Sequence, residues 1–182
     1  MCPLPRGTGR RDRLARIEAA IAALPAVVGY SQAACGSDLL FLEALQDAGH
    51  ETQVVLPFAL GDFVRESVAF AGTAWVDRFE RAIGRATRVT FATEEPYLGD
   101  DILFEHASNL IQGMAILRAA ELETGAMMLA VIDPSAGNAV GGTAANVRQW
   151  KERGGEVTQI ALASGGPARR AIARSPDRAH RV

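Results

Sequence analysis

The chain has 182 residues, of which 48% are hydrophobic and 22% are charged, with a formal net charge of −2. This length and composition predict one soluble globular domain with a full core. The small net charge gives no electrostatic footprint for nucleic acid, and no apolar run approaches the roughly 20 residues that a membrane helix needs. We therefore expect a cytoplasmic protein that binds neither nucleic acid nor a membrane.

The two cysteines, Cys2 and Cys35, lie far apart in the sequence and have no metal-type spacing. They predict reduced thiols, and neither a disulfide framework nor a metal site. The basic start, MCPLPRGTGRRDR, leads into a charged amphipathic helix instead of an apolar segment, so it is not typical of a secretory signal.

Helical and extended patterns alternate along the chain. The first helix, over 11–24, has an apolar stripe of Leu14, Ile17, Ile21 and Leu24. The later predicted elements are a strand over 26–29, a helix over 38–48, a strand over 52–56, two short helices broken near Gly72, a strand in TRVTFAT, a long helix over 99–123, a strand in AMMLAVID, a helix in TAANVRQWKERGG and a strand in EVTQIAL.

Strands separated by helices predict an α/β fold, with a Rossmann-like parallel sheet and helices on both faces. We divide the chain into an N-terminal arm and amphipathic helix (1–24), a Rossmann-like domain (25–163) and a disordered basic tail (164–182). Trp75, Phe79 and Trp150 have helical core spacings and are interpreted as packing residues.

The loop YSQAACGSD after the first strand is rich in small residues. Its candidate ligand-binding residues are Ser31, Cys35, Gly36, Ser37 and Asp38. Small side chains let a ligand approach the backbone, and Ser37 or Asp38 is expected to cap the following helix. An ordinary strand-to-helix turn explains the same residues equally well.

A glycine-rich loop, DPSAGNAVGGTAANV, follows the fourth apolar strand. Gly141, Gly142 and Thr143 lie where backbone amides and a helix N-terminus could hold phosphate oxygens. The flanking strand and helix supply the context that such a loop needs. The loop has neither the lysine of a Walker P-loop nor the GxGxxG pattern of a dinucleotide fingerprint.

The start of the long helix carries Asp101, Glu105 and Asn109 at four-residue steps, so these side chains share one helix face. They are candidates to contact a ligand at the carboxyl edge of the sheet, although a solvated face is the alternative. Because the loops after parallel strands emerge at one edge, we expect all three segments to meet there.

Several stretches together resemble a known bacterial domain. They are GYSQAACGSDLLFLEAL, VVLPF, ESVAFAGTAWVDRF, YLGDDILFEHASNLIQG and GGTAANVRQWKERGGEV. The chain is similar, from about residue 29 to 160, to a domain found beside class III adenylate/guanylate cyclases and in tetratricopeptide-repeat proteins, some with a TRAFs-binding domain. That domain resembles the SLOG superfamily, which includes the LOG phosphoribohydrolases. The resemblance implies a Rossmann-like fold with a nucleotide-type pocket.

Compared with the family that it resembles, the chain differs in two places. When Gly142 and Thr143 are aligned with the LOG motif PGGxGTxxE, Asn146 takes the place of the catalytic glutamate. An amide cannot serve as a general acid or base. Such domains also open with a further central strand, so we expect either a truncated chain or an incomplete pocket.

These observations favour a non-catalytic module that binds a nucleotide or nucleotide derivative in bacterial signalling, with a cyclase or a tetratricopeptide protein as the candidate partner. The alternatives are a nucleotide N-glycoside hydrolase with Glu105 or Asp101 as the acid/base, and a scaffold without a ligand. No cofactor is predicted beyond a nucleotide-type ligand. An unpaired strand edge or the first helix predicts a homo-oligomer or a partner-bound form.

Overall fold

The computed structural model describes residues 8–22, 24, 27–132 and 143–161. The helices are α1 (Thr8–Ala22), α2 (Ser37–Asp47), α3 (Leu60–Ser67), α4 (Thr73–Arg85), α5 (Ile102–Glu121) and α6 (Thr143–Glu152). The strands are β1 (Val28–Ser31), β2 (Glu51–Leu56), β3 (Arg88–Phe91), β4 (Met127–Ile132) and β5 (Glu156–Ala161). A short 3-10 turn, Ala69–Ala71, separates α3 from α4.

All strand pairing among the described residues is parallel. One sheet has the order β1-β2-β3, and a second sheet contains β4 and β5. The register pairs Val28 with Glu51 in the first sheet and Met127 with Glu156 in the second. The predicted α/β fold with a parallel sheet is confirmed, and the structure adds that the sheet is divided into two pieces.

Helices cover both faces of β1. A Cβ added at Gly29 would stand inside contact distance of Leu45 and 3.2 Å from two ring carbons of Phe41, so α2 packs directly on this glycine. The next residue, Tyr30, faces the opposite way, toward α5. Burial, and then the nearby Glu51 carboxylate, raise the pKa of its phenol.

One hydrophobic core joins the two sheets. Its fully buried side chains include Ile17, Leu39, Leu40, Leu42, Val54, Leu56, Phe58 and Phe63. Ile160 of β5 belongs to this cluster, and Leu129 and Val131 of β4 pack against it. The apolar stripe of α1 therefore reaches the same core as both sheets.

The predicted elements match the observed ones within a few residues, and the predicted break near Gly72 is confirmed, because this residue ends the 3-10 turn with a φ of 104°. The predicted cap of α2 is wrong. Its N-cap is Gly36 with a φ of 108°, and no side chain caps the helix. A positive φ suits glycine, and the Asp38 carboxylate instead accepts hydrogen bonds from Ala34 and Ser31. The basic tail lies outside the described residues.

Candidate functional site

A polar junction forms where the chain leaves β1. The Gln32 amide Nε2 donates hydrogen bonds to the Phe104 carbonyl at 3.0 Å and to Ser108 Oγ at 2.9 Å. From the other side, Asn146 Nδ2 of α6 donates to the same Ser108 oxygen at 3.2 Å. We call Gln32, Ser108 and Asn146 the polar junction, and it joins the carboxyl end of β1, helix α5 and the first turns of α6.

A second polar layer lies further along the same two helices. Arg153 Nη1 donates to Gln112 Oε1 at 2.8 Å, and Gln112 Nε2 donates to Gln149 at 3.3 Å. Arg153 also reaches Asn109 Oδ1 at 3.4 Å. Gln112 is only 3% exposed, so these bonds satisfy amide groups that would otherwise be costly to bury. The layer fixes α6 against α5.

The first turn of α2 contains a partly buried acid, which contacts the loop that follows β1. The Asp38 carboxylate accepts hydrogen bonds from the Ala34 amide and the Ser31 hydroxyl, and burial raises its pKa against the effect of both bonds. Ser31 Oγ also accepts from the Ala33 amide at 3.3 Å. The Cys35 amide donates to the Ser67 carbonyl at 3.0 Å, which ties the loop to the end of α3. Hydrogen bonds within the loop, to Asp38 and to the end of α3 thus fix much of the predicted loop.

An aromatic group supports the neighbouring part of the carboxyl edge. Phe58, which follows β2, stacks on Tyr97 with ring centroids 4.5 Å apart and meets Phe104 edge-on at 5.2 Å. The Tyr97 amide donates to Asp62 at 2.8 Å, and this bond, followed by Arg65, lowers the pKa of Asp62. The loops that follow β2 and β3 are therefore joined next to the polar junction.

The structure separates the three acidic and amide candidates on α5. Asp101 is exposed, and its carboxylate accepts a hydrogen bond from the Tyr97 hydroxyl at 2.7 Å. Glu105 is partly buried, one residue away from the Phe104 carbonyl that Gln32 contacts. Asn109 contacts Arg153 in the second polar layer. Two predicted residues, Ser31 and Asn109, are direct sequence neighbours of junction residues, and Glu105 lies one helical turn before Ser108.

The other predicted residues are distributed as follows. Gly36 and Ser37 begin α2, and Thr143 is an exposed residue at the start of α6. Gly141 and Gly142 lie outside the described residues. The structure describes the first two of the three loops that were predicted to share one edge. The third loop lies almost entirely outside the described residues, and the helix after it, α6, brings Asn146 to Ser108.

Sequence reasoning missed Gln32, Ser108 and Gln112 as site residues. A signal for them exists, because Ser108 and Gln112 are four residues apart in a largely apolar helix, and Asn146, Gln149 and Arg153 form a matching stripe on α6. Complementary polar stripes on two helices indicate that the helices face each other.

The junction offers amides and a hydroxyl, which bind polar ligands but are neither acids nor bases near neutral pH. Among the described residues, no group of three His, Cys, Asp or Glu side chains could hold a metal ion. In the same part of the chain, no helix is long and apolar enough to cross a membrane.

Comparisons with known proteins give little further information. No protein-family model matches the chain, and no curated protein matches it. A solved structure, a pyridoxal 5'-phosphate-dependent aspartate racemase, is similar at 16% identity and a TM-score of 0.26, over 84% of this chain and 45% of that chain. The chain thus spans less than half of that protein, and the site is interpreted from its own geometry.

Proposed function

We propose that this protein is a binding module for a nucleotide or nucleotide derivative, with its ligand at the polar junction. The observation that carries the proposal is the convergence of Gln32, Ser108 and Asn146 at the boundary between the two sheets. Open α/β folds bind ligands outside the carboxyl ends of their strands, where the strand order reverses. The order β1-β2-β3 and the separate β4-β5 pair are consistent with such a reversal.

The chemistry of the junction suits the sugar and base of a nucleotide better than a reaction. Amide and hydroxyl groups can exchange their mutual hydrogen bonds for bonds to ligand oxygens and ring nitrogens. Asn146 brings the first turns of α6 to the junction, and a helix N-terminus favours a negatively charged group. Leu98 and Ile102, which are 90% and 59% exposed, offer apolar surface near the aromatic group.

The proposed role is regulatory, in bacterial signalling, because the junction contains no proton-transfer group. Asn146 donates to Ser108 at the position where the LOG resemblance expects a glutamate. A hydrolase would have to use Glu105 or Asp101 as its acid/base, and replacing Glu105 by glutamine tests the first of these. A binding module loses little affinity in Glu105→Gln, whereas a hydrolase loses its turnover.

Thermal unfolding in the presence of AMP, ATP, cyclic AMP, NAD and ADP-ribose tests the proposal. A ligand present at about 100 times its Kd stabilises the fold by about 2.7 kcal/mol. For a domain of this size, that corresponds to a rise in Tm of about 5–10 °C. Inorganic phosphate serves as the control for non-specific anion binding.

Two variants on α6 locate the bound ligand. Asn146→Ala should weaken binding about ten-fold or more, whereas Arg148→Ala, an exposed residue two positions away, should leave it unchanged. The proposal fails if no compound of the panel raises the Tm, or if both variants bind with the affinity of the parent protein. Tm values without ligand verify that both variants fold.

A further inference from the structure

A cavity of about 370 Å³ lies between the last turns of α5 and α6. Two of its lining residues, Thr124 and Ala126, come just before β4. Gly154 and Gly155 come just before β5, so the cavity lies at the amino ends of both strands. We call this space the amino-edge cavity, and it is separate from the polar junction at the carboxyl ends. Its described lining residues are Ile116, Ala119, Ala120, Thr124, Ala126, Trp150, Arg153, Gly154 and Gly155.

Trp150 and two glycines build one wall of the cavity. A Cβ added at Gly155 would stand inside contact distance of the Trp150 indole, so the ring lies directly against this glycine. The indole Nε1 donates a hydrogen bond to the Glu156 carbonyl at 2.8 Å, and Trp150 is only 3% exposed. Gly154 has a φ of 78°, which residues with a side chain rarely adopt. The wall is therefore fixed before any ligand binds.

The lining has the chemical character of a small-molecule site. Apart from Thr124 and Arg153, the described lining residues carry apolar side chains or none, and the Trp150 N–H is already bonded. Ligand sites are typically clefts of about 300–1,000 Å³ with mostly apolar walls and a few polar groups. Because a water molecule takes about 30 Å³ of liquid volume, the cavity has room for roughly a dozen non-hydrogen atoms.

Apolar surface around the cavity is left in contact with water. Ile116 is 44% exposed, and Ala120, one turn further along α5, is also exposed. Ala119, between them in sequence, is nearly buried. Removing apolar surface from water is favourable and needs no particular orientation of the ligand. A ligand therefore gains most if its larger part is apolar.

Arg153 supplies the charge among the described lining residues. Its Nη1 donates to Gln112 at 2.8 Å, and its Nη2 donates to Asn109 at 3.4 Å. A guanidinium has five N–H donors, so these two bonds leave donors for an acceptor in the cavity. A carboxylate accepts the strongest bonds from such a group. The negative ends of α5 and α6 disfavour an anion, but a helix end acts on a surface charge more weakly than a direct charge-assisted bond.

We propose that the amino-edge cavity binds a small organic carboxylate with an apolar body, which contacts Ile116 and Trp150 while its carboxylate accepts hydrogen bonds from Arg153. A phosphate-rich ligand does not suit the cavity, because the described lining offers a single hydroxyl and a single cation. The site is distinct from the proposed nucleotide site, since the described lining includes no residue of the polar junction. The binding of either ligand can therefore be measured without the other.

Isothermal titration calorimetry of the full chain with hydrocinnamate tests this proposal. This compound joins a carboxylate to a phenyl ring through a short chain, and its size fits the cavity. We expect saturable binding with a Kd at or below about 1 mM. The matched neutral compound, hydrocinnamamide, lacks the charge, and acetate lacks the apolar body. Both should bind at least about ten-fold more weakly than hydrocinnamate.

Two variants locate the bound compound, each with a matched control. Arg153→Ala should bind hydrocinnamate no more tightly than hydrocinnamamide, because the protein then no longer offers the charge that distinguishes them. Lys151→Ala, at an exposed cation that does not line the cavity, should behave like the parent protein. Ala120→Leu fills part of the cavity and should weaken hydrocinnamate binding at least about ten-fold. Glu121→Leu, at the next exposed position and outside the cavity lining, should not. Tm values without ligand verify that all four variants fold.

Four results would overturn the proposal. The first is a Kd for hydrocinnamate above about 1 mM. The second is equal affinity of the parent protein for hydrocinnamate and either control compound. The third is an Ala120→Leu protein with the affinity of the parent, which would place the compound elsewhere on the surface. The fourth is an Arg153→Ala protein that still prefers hydrocinnamate to hydrocinnamamide, because the carboxylate would then be held by another group.

Discussion

Replacing Gly29 with alanine tests whether α2 packs on β1 as closely as the structure indicates. The added methyl would overlap Leu45, which is 1% exposed, and approach Phe41 ring carbons at 3.2 Å. Overpacking of a buried site costs about 1–3 kcal/mol. For a domain of this size, we therefore expect Gly29→Ala to lower the Tm by about 2–12 °C.

A matched control distinguishes the clash from the general effect of adding a methyl group. Gly113 lies inside α5, and a Cβ added there meets nothing within 4 Å. Because alanine favours helix more than glycine does, Gly113→Ala should stabilise the fold by about 0.5–1 kcal/mol. The two substitutions add the same atoms and should shift the stability in opposite directions.

A double substitution tests the identity of the clashing partner. Leu45→Ala alone should cost about 2–5 kcal/mol, because it leaves a cavity in the core. In the Gly29→Ala, Leu45→Ala protein, the methyl occupies part of that cavity, so the combined loss should be smaller than the sum by about 0.5–3 kcal/mol. Urea unfolding measures all four proteins. An unchanged Gly29→Ala protein, or strict additivity, would refute the packing of α2 on β1.

Three other predictions concern polar contacts. Arg78 of α4 forms a bidentate ion pair with Glu43 of α2, with Nε 2.7 Å from Oε1. Arg78→Lys should lose one of these hydrogen bonds and lower the free energy of unfolding in urea by about 1 kcal/mol. An unchanged unfolding midpoint would contradict this. Ser108→Ala removes the acceptor of Asn146 and should cost about 1–2 kcal/mol, whereas no loss would mean that the junction contributes nothing to stability. Burial raises the pKa of Asp38 above its ordinary 3.8. The protonated carboxyl therefore contributes its full stability to the fold below pH 3.8, and this contribution is lost as the pH rises through the raised pKa. The stability of Asp38→Asn relative to the parent protein should therefore be greater near pH 7 than near pH 4. A greater relative stability near pH 4 would contradict the raised pKa of Asp38.

Local patterns were sufficient to predict the elements of this fold. Apolar spacing in α1 and α4, the break at Gly72 and the apolar runs of the strands depend on neighbouring residues, and each is confirmed. The prediction that Ser37 or Asp38 caps α2 was wrong, and the reason is also local. The Asp38 carboxylate accepts from Ala34 and Ser31 and does not cap the helix, and these partners become evident only in the folded loop.

The division of the sheet could not be read from the residues of any one strand. The sequence of β4 is that of an interior strand, yet which strand pairs with which is decided by contacts between distant segments. The polar junction has the same origin. Gln32 and Ser108 are 76 positions apart, so neither residue indicates a site until the fold brings them together.

The division of the sheet and the polar junction both involve the connection from β3 to β4. Helix α5 carries the chain from β3, at the far edge of the first sheet, back across β1 to β4, and Ser108 lies where it passes the carboxyl ends. Bonds from Gln32 and Asn146 fix that crossing by side chains, since β1 and β4 share no backbone ladder there.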